Sequence, residues 1–298
     1  MLFPDFRFAP ITADDVARKL VNKEYFSFCK LLHGYWERLY KFATDQPDIT
    51  LDGIRSGLRA ICEDNPDFYK GFVEKIPQTR EGTKELFNGF DKKDIEWHYL
   101  DLIDMMREDT DVMWGVFYDG YPKNSPLPVE KKWESLLAMK AVLPPDKTIY
   151  NGMCWKQWCV DGSMIKVLNA MRKYFVVVVG MNHLNEINAH EFWQFPDYQF
   201  YRVRMPLSAY KDEFIEDMTR YHKQFAHYPV VYLYQGGYVG AWIIHKLSKT
   251  LPNAFFFDVG KSLDIFCDPS VMPFTPFAQH VDWNLWRRQD ERHLLSSD

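Results

Sequence analysis

The chain has 298 residues, 47% hydrophobic and 26% charged, which is ordinary globular material long enough to bury one large α/β core. Its 36 basic residues against 41 acidic ones give a net charge of −5, which builds in no general attraction to nucleic acid or anionic membrane. Five cysteines without a C-x-x-C pair suggest neither a disulfide framework nor a zinc ribbon, and they fit a reducing cytoplasm.

The amino-terminal residues lack the basic start and apolar core of a signal peptide, and no run approaches the ~20 apolar residues of a membrane span. Thr12-Ala13-Asp14-Asp15 predicts a helix start with Thr12 as N-cap, and Val16, Leu20 and Val21 form its apolar stripe. A strand over Tyr25 to Lys30 leads into a loop holding His33. From Trp36 to Arg107 the pattern is helical, with Leu51, Ile54, Leu58 and Ile61 at three- and four-residue spacing, and it reads as a helical insertion near residues 36–107.

From Asp111 onward strands and helices alternate. Strands are predicted over Val112 to Tyr118, Phe175 to Val179, Tyr198 to Val203, Val230 to Tyr234 and Ala254 to Phe257. Helices are predicted over Val129 to Val142 and Asp161 to Tyr174, and on the stripes of Tyr210, Phe214, Met218, Tyr221, Phe225 and of Val239, Ile243, Leu247. The run Val176-Val177-Val178-Val179 is apolar on both faces, as a central parallel strand covered by helices must be. Repeated strand-helix-strand units predict an α/β fold with a Rossmann-like, mainly parallel sheet flanked by helices. The expected organisation is one domain over residues 1–298, with an irregular tail over about residues 268–298.

Ligands of such sheets sit at the carboxyl ends of the strands. Four loops stand there: Lys30 to Tyr35, Gly180 to His183, Gln235 to Tyr238, and Asp258 to Ser262 running on to Asp264. Glycine permits close backbone approach, and exposed N–H groups favour phosphate. Neither G-x-G-x-x-G nor a Walker A sequence is present, which argues against a dinucleotide oxidoreductase or a P-loop ATPase. Asp119, in a turn after a strand, Asp258 and Asp264 are candidate carboxylates, each with an alternative reading as a turn or capping residue. His183 follows a buried strand and suits a structural role or a ligand-binding one. His190-Glu191 lacks the second histidine of H-E-x-x-H, while Cys154, Cys159 and their flanking tryptophans read as core packing.

The segment Phe26-Ser27-Phe28-Cys29-Lys30-Leu31-Leu32-His33-Gly34-Tyr35-Trp36 resembles, without a gap, the opening strand and loop of the GT-D-fold glycosyltransferases, which read roughly F-S-F-x-R-[YF]-G-D-G-E-W. Val178 to Leu184, Gly236-Gly237 and Asp258 to Asp264 resemble later family segments in the same order. In that family the Asp and Glu of D-G-E handle the donor diphosphate and its divalent metal; here His33 and Tyr35 stand at those positions.

The resemblance implies a glycosyltransferase that moves a sugar from a nucleotide-sugar donor to a glycan or other hydroxyl acceptor. The implied donor contacts are Lys30, Gly34, Tyr35, Gly180, Asn182, His183, Gly236, Gly237 and Asp264, with His33, Asp119 and Asp258 as the catalytic candidates. Imidazole and phenol do not replace carboxylate oxygen around a hard cation, so no metal ligand is assigned and no cofactor is required. Two other readings stand beside this one: a non-catalytic nucleotide-sugar or glycan-binding homologue, and a transferase acting on a nucleic-acid base. The acidic balance counts against the latter.

Overall fold

The computed structural model describes residues 7–31, 33–45, 48–62, 96–116, 129–204, 210–225, 227–267 and 278–290. The chain divides into two compact units. Unit 1 comprises Met1–Phe8, Leu31–Thr110 and Val116–Ile149, and unit 2 comprises Ala9–Lys30, Asp111–Gly115 and Tyr150–Asp298.

Unit 2 is the α/β unit. Its strands are β2 (Ser27–Leu31, all but the last residue), β3 (Val112–Val116, likewise), β5 (Phe175–Gly180), β6 (Tyr198–Arg202), β7 (Val230–Tyr234) and β8 (Ala254–Asp258). They lie in the order β3-β2-β8-β7-β5-β6. β5 runs parallel to β6 and β7, β7 to β8, and β2 to β8. Val176 to Val179, Val230 to Tyr234 and Phe255 to Phe257 are almost wholly enclosed. Each such aliphatic or aromatic side chain contributes about 1.5–3 kcal/mol of burial, which is why the uninterrupted apolar runs become the centre of the sheet.

One face of this sheet, carrying Phe28, Val176, Val178, Val231, Leu233, Phe255 and Phe257, packs in a single core with residues of α1 (Ala13–Val21), α6 (Cys154–Asp161) and α7 (Met164–Met171). On the other face Tyr232 stacks on Phe256 at 5.0 Å, and α8 (Lys211–Gln224) and α9 (Gly237–Thr250) cover them. Thr12 caps α1 as its sequence predicts: the Asp15 N–H donates to Thr12 Oγ1 at 3.1 Å, and the Thr12 N–H donates to Asp15 Oδ2 at 3.0 Å. Cys154 and Cys159 are buried free thiols within the core, and burial raises the Cys154 thiol to about 12.

Unit 1 is mainly helical. It holds α2 (His33–Phe42), α3 (Leu51–Cys62), a π-helical turn (Glu96–Asp101), α4 (Leu102–Glu108) and α5 (Val129–Val142). The short β1 (Arg7–Phe8) pairs in parallel with the first two residues of β4 (Thr148–Asn151). Ile54, Leu58 and Ile61 form the predicted buried stripe of α3. Tyr35, Phe42, His98 and Tyr99 build an aromatic cluster in which Tyr35 stacks on Tyr99 at 5.4 Å. Burial pulls His98 down to about 3, so its imidazole is neutral there.

Four expectations need correction. His33 is not in a loop: β2 runs through Leu31 and His33 opens α2, and Trp36 Nε1 donates to the Leu31 carbonyl at 2.9 Å. The helix expected over Asp161 to Tyr174 is shorter, Met164–Met171, because Gly162 with φ +79° ends a separate preceding helix, Cys154–Asp161, which has no counterpart among the predicted elements. The tail is not wholly irregular. Asp282 accepts from the N–H groups of Asn284 and Leu285 and starts α10 (Trp283–Gln289), which seats Trp286 in the core. Finally, β4 has no counterpart among the predicted strands. Asp119 and residues 63–95 lie outside the described residues.

Candidate active site

The register of unit 2 brings the ends of its strands to one level. Val179 stands opposite Tyr234, Tyr234 opposite Asp258, and Phe28 opposite Phe257. Beyond these pairs the Gln235 N–H donates to the Val179 carbonyl at 2.9 Å, and the Val259 N–H donates to the Tyr234 carbonyl at 3.1 Å. The chain therefore leaves β5, β7 and β8 together, and Lys30 arrives beside β8 two residues after Phe28.

Asp258 ends β8 and is almost wholly enclosed. Its Oδ1 accepts from the Gly260 N–H at 3.1 Å and lies 3.9 Å from Lys30 Nζ, itself buried. Burial pushes the Asp258 carboxyl up to about 6, against the pull of the Lys30 ammonium and the backbone N–H groups of Gly260 and Lys30. Gly260 has φ +49°, a conformation that favours glycine, and a Cβ there would sit 2.2 Å from Lys30 Nζ, so any larger residue would also push the lysine tip aside.

Asp264, on the 3-10 turn Gly260–Phe266, is fully buried. One of its oxygens accepts from Gln235 Nε2 at 2.6 Å and lies 3.1 Å from His183 Nε2. His183 belongs to the 3-10 turn Asn182–Ala189 that follows β5, and its carbonyl accepts from the Cys267 thiol at 3.3 Å. A Cβ at Gly180 would lie 2.5 Å from Leu184 Cδ1 and 3.3 Å from Gln235 Cβ, so that strand end admits only glycine without rearrangement. Gly237, at φ +58°, opens α9 with no atom within 4 Å of where a Cβ would stand, while Gly236 is its N-cap and Asn182 is exposed.

Two further lysines share this end. Lys156 is on α6, which packs on the Gly260–Phe266 turn through Cys159 Sγ and the Ser262 carbonyl at 3.7 Å. Burial, then the ammonium groups of Lys30 and Lys261, draw Lys156 down to about 8, with Asp264 pulling the other way. Lys30 thus faces the enclosed Asp258 and Lys156 lies within electrostatic reach of the enclosed Asp264, with the exposed Lys261 beside Lys156, a cationic balance suited to an anionic ligand.

Of the residues predicted from sequence, unit 2 brings together Lys30, Gly180, Asn182, His183, Gly236, Gly237, Asp258 and Asp264 at its strand ends. His33, Gly34 and Tyr35 belong to unit 1, on the first turn of α2. Tyr35 is fully buried in the aromatic cluster, and burial lifts its phenol well above the usual range. A phenol held this way offers a hard cation no carboxylate oxygen, so the position does not fit the divalent metal of the resembling family. Among the described residues no group of three or more His, Cys, Asp or Glu side chains is placed to hold a metal ion.

Sequence reasoning passed over Lys156 altogether, and it placed Gln235, Gly260 and Lys261 in strand-end loops without singling them out as site residues. Lys156 carried a usable signal, since recognising Thr148–Asn151 as a strand would have put α6 at a strand end too.

No family model matches the chain, and no curated protein matches it. Solved structures do. A new glycosyltransferase of the DUF1792 type from Streptococcus sanguinis superposes with a TM-score of 0.50 at 10% identity, over 87% of this chain and 83% of that one. Two further structures of domain of unknown function 1792, one of them described as having a distinct glycosyltransferase fold, align at 9% and 8% identity with TM-scores of 0.49 and 0.47, each over 94% of this chain and 95% of its own. At such identity the likeness concerns the fold. The chain has the α/β fold of the Streptococcus sanguinis glycosyltransferase, the fold towards which Phe26 to Trp36 points.

Proposed function

We propose that the protein is a glycosyltransferase that moves a sugar from a nucleotide-sugar donor to a hydroxyl acceptor. The observation that carries the reading is the convergence, at the carboxyl ends of β2, β5, β7 and β8, of three lysines, two enclosed carboxylates and backbone kept bare by glycine. Open α/β sheets bind ligands at such ends, and a nucleoside diphosphate needs fixed positive charge both to bind and to leave. Lys30, Lys156 and Lys261 supply that charge without a metal, and Gly236-Gly237 lets a ligand approach the start of α9.

The test is a thermal-shift and turnover screen of nucleotide sugars against the purified chain. A specific donor at about 100 times its dissociation constant stabilises the native state by about 2.7 kcal/mol, a readily measured rise in Tm. Lys156→Ala should weaken donor binding about tenfold or more, because a charge-assisted contact is lost. Saturable binding without transfer or donor hydrolysis would favour a nucleotide-sugar-binding protein, a reading supported by the enclosure of Tyr35 in the core of unit 1. A panel that raises no Tm overturns both.

A further inference from the structure

We infer that His183 is the general base that takes the proton of the acceptor hydroxyl, with Asp264 as its positioning residue. The inference rests on the transferase reading above and adds to it the group that activates the nucleophile.

Asp264 is fully buried, and its Oδ1 lies 3.1 Å from His183 Nε2. An ionised carboxylate can only accept, so the imidazole presents Nε2–H to it, and in the neutral ring that tautomer carries its lone pair on Nδ1. Gln235 Nε2 donates to the same oxygen at 2.6 Å and so braces the carboxylate independently of His183. The backbone of His183 is fixed as well, through its carbonyl and the Cys267 thiol. Nδ1 makes no hydrogen bond to any described residue, and the His183 side chain keeps 17% exposure. A buried carboxylate, a held ring and a free basic nitrogen at a strand end form the base-and-orienter arrangement that proton abstraction requires.

Other candidate bases are less suited. Asp258 is already engaged by the Gly260 N–H and faces Lys30. His222 is buried, with its Nδ1 3.0 Å from the Tyr232 hydroxyl, and His190 is packed among Phe192, Phe266 and Trp283.

The step balances as a single displacement. The acceptor oxygen forms a bond to the anomeric carbon as its proton passes to His183 Nδ1. The bond from that carbon to the diphosphate oxygen breaks, and the nucleoside diphosphate leaves with the electron pair. The resulting imidazolium is stabilised by the Asp264 carboxylate and later gives its proton to water. One displacement inverts the anomeric centre.

The experiment combines turnover with a direct reading of the ring. His183→Ala should lower kcat for transfer about 10²–10⁴-fold, and added imidazole should restore part of the lost rate. In wild-type protein labelled at histidine nitrogens, NMR should find neutral His183 as the Nε2–H tautomer. Asp264→Asn should lower kcat more than it changes KM and should perturb that tautomer; should this variant fail to fold, the wild-type spectrum and the imidazole rescue still decide. Wild-type turnover in His183→Ala, an Nδ1–H tautomer, or a product with retained anomeric configuration would overturn the assignment while leaving the transferase reading intact. A wild-type chain that binds and turns over no nucleotide sugar would instead remove the reading, and the step with it.

Discussion

Lys30 and Asp258 face each other at 3.9 Å with side-chain exposures of only 7% and 2%, a buried pair in which neither charge has ready access to water. Asp258 titrates near 6 when folded, against the usual 3.8, and therefore binds its proton more readily in the folded chain. Its ionisation withdraws stability as pH rises from about 4 through 6, and the cost is fully present above that window. Lys30→Met removes the ammonium that holds the value down, pushing the carboxyl higher still. The variant should lose about 3 kcal/mol at pH 8, the usual penalty for stranding one partner of a buried pair, and clearly less at pH 5, where Asp258 can take up a proton. Urea unfolding at the two pH values measures this; an equal loss at both would show that Lys30 acts through packing alone.

At the scale of elements, α10 shows what a closing helix contributes. Trp286 is fully buried, donates from Nε1 to the Cys159 carbonyl at 2.8 Å and meets Phe192, Phe266 and Trp283 ring to ring. Trp286→Ala should cost about 3–5 kcal/mol in chemical denaturation; a loss below about 1 kcal/mol would mean that α10 is only loosely docked. This helix was not legible in the chain, because seven residues carry too little periodicity to stand out and the prolines before it read as loop. The strands of unit 2 were legible, since a run such as Val176 to Val179 has no other stable use than a sheet covered on both faces. β4 was not, as its four residues show neither a long apolar run nor clear alternation. Strand-end glycines and His183 could be placed from topology. The pairing of His183 with Asp264 could not, because 81 residues separate them and only the register of β5, β7 and β8 brings their loops together.

For the molecule as a whole, the question is how a chain of net charge −5 would handle a donor diphosphate. Transferases of the resembling type place a carboxylate-held divalent ion against the phosphates. Here His33 and Tyr35 stand at those positions, and Tyr35 is turned into the aromatic core of unit 1. Positive charge is instead concentrated at the strand ends of unit 2, in Lys30, Lys156 and Lys261. Lys30 and Lys156, in surroundings of reduced dielectric, together with the exposed Lys261, can offset the charge that develops on a departing diphosphate, the same task a metal performs as a Lewis acid. Transfer should therefore persist in EDTA at a rate within a few-fold of that in added Mg²⁺ or Mn²⁺. It should also fall as ionic strength rises, because the exposed Lys261 is screened by salt. Replacing His33 by Asp together with Tyr35 by Glu puts carboxylates back in sequence, but a glutamate in place of the buried Tyr35 ring would cost stability before it bound anything, so the chelator experiment on the unaltered chain is the decisive one. Complete loss of turnover in EDTA, reversed by a divalent ion, would overturn the metal-free reading and direct the search for ligands to Asp258, Asp264 and Asp119.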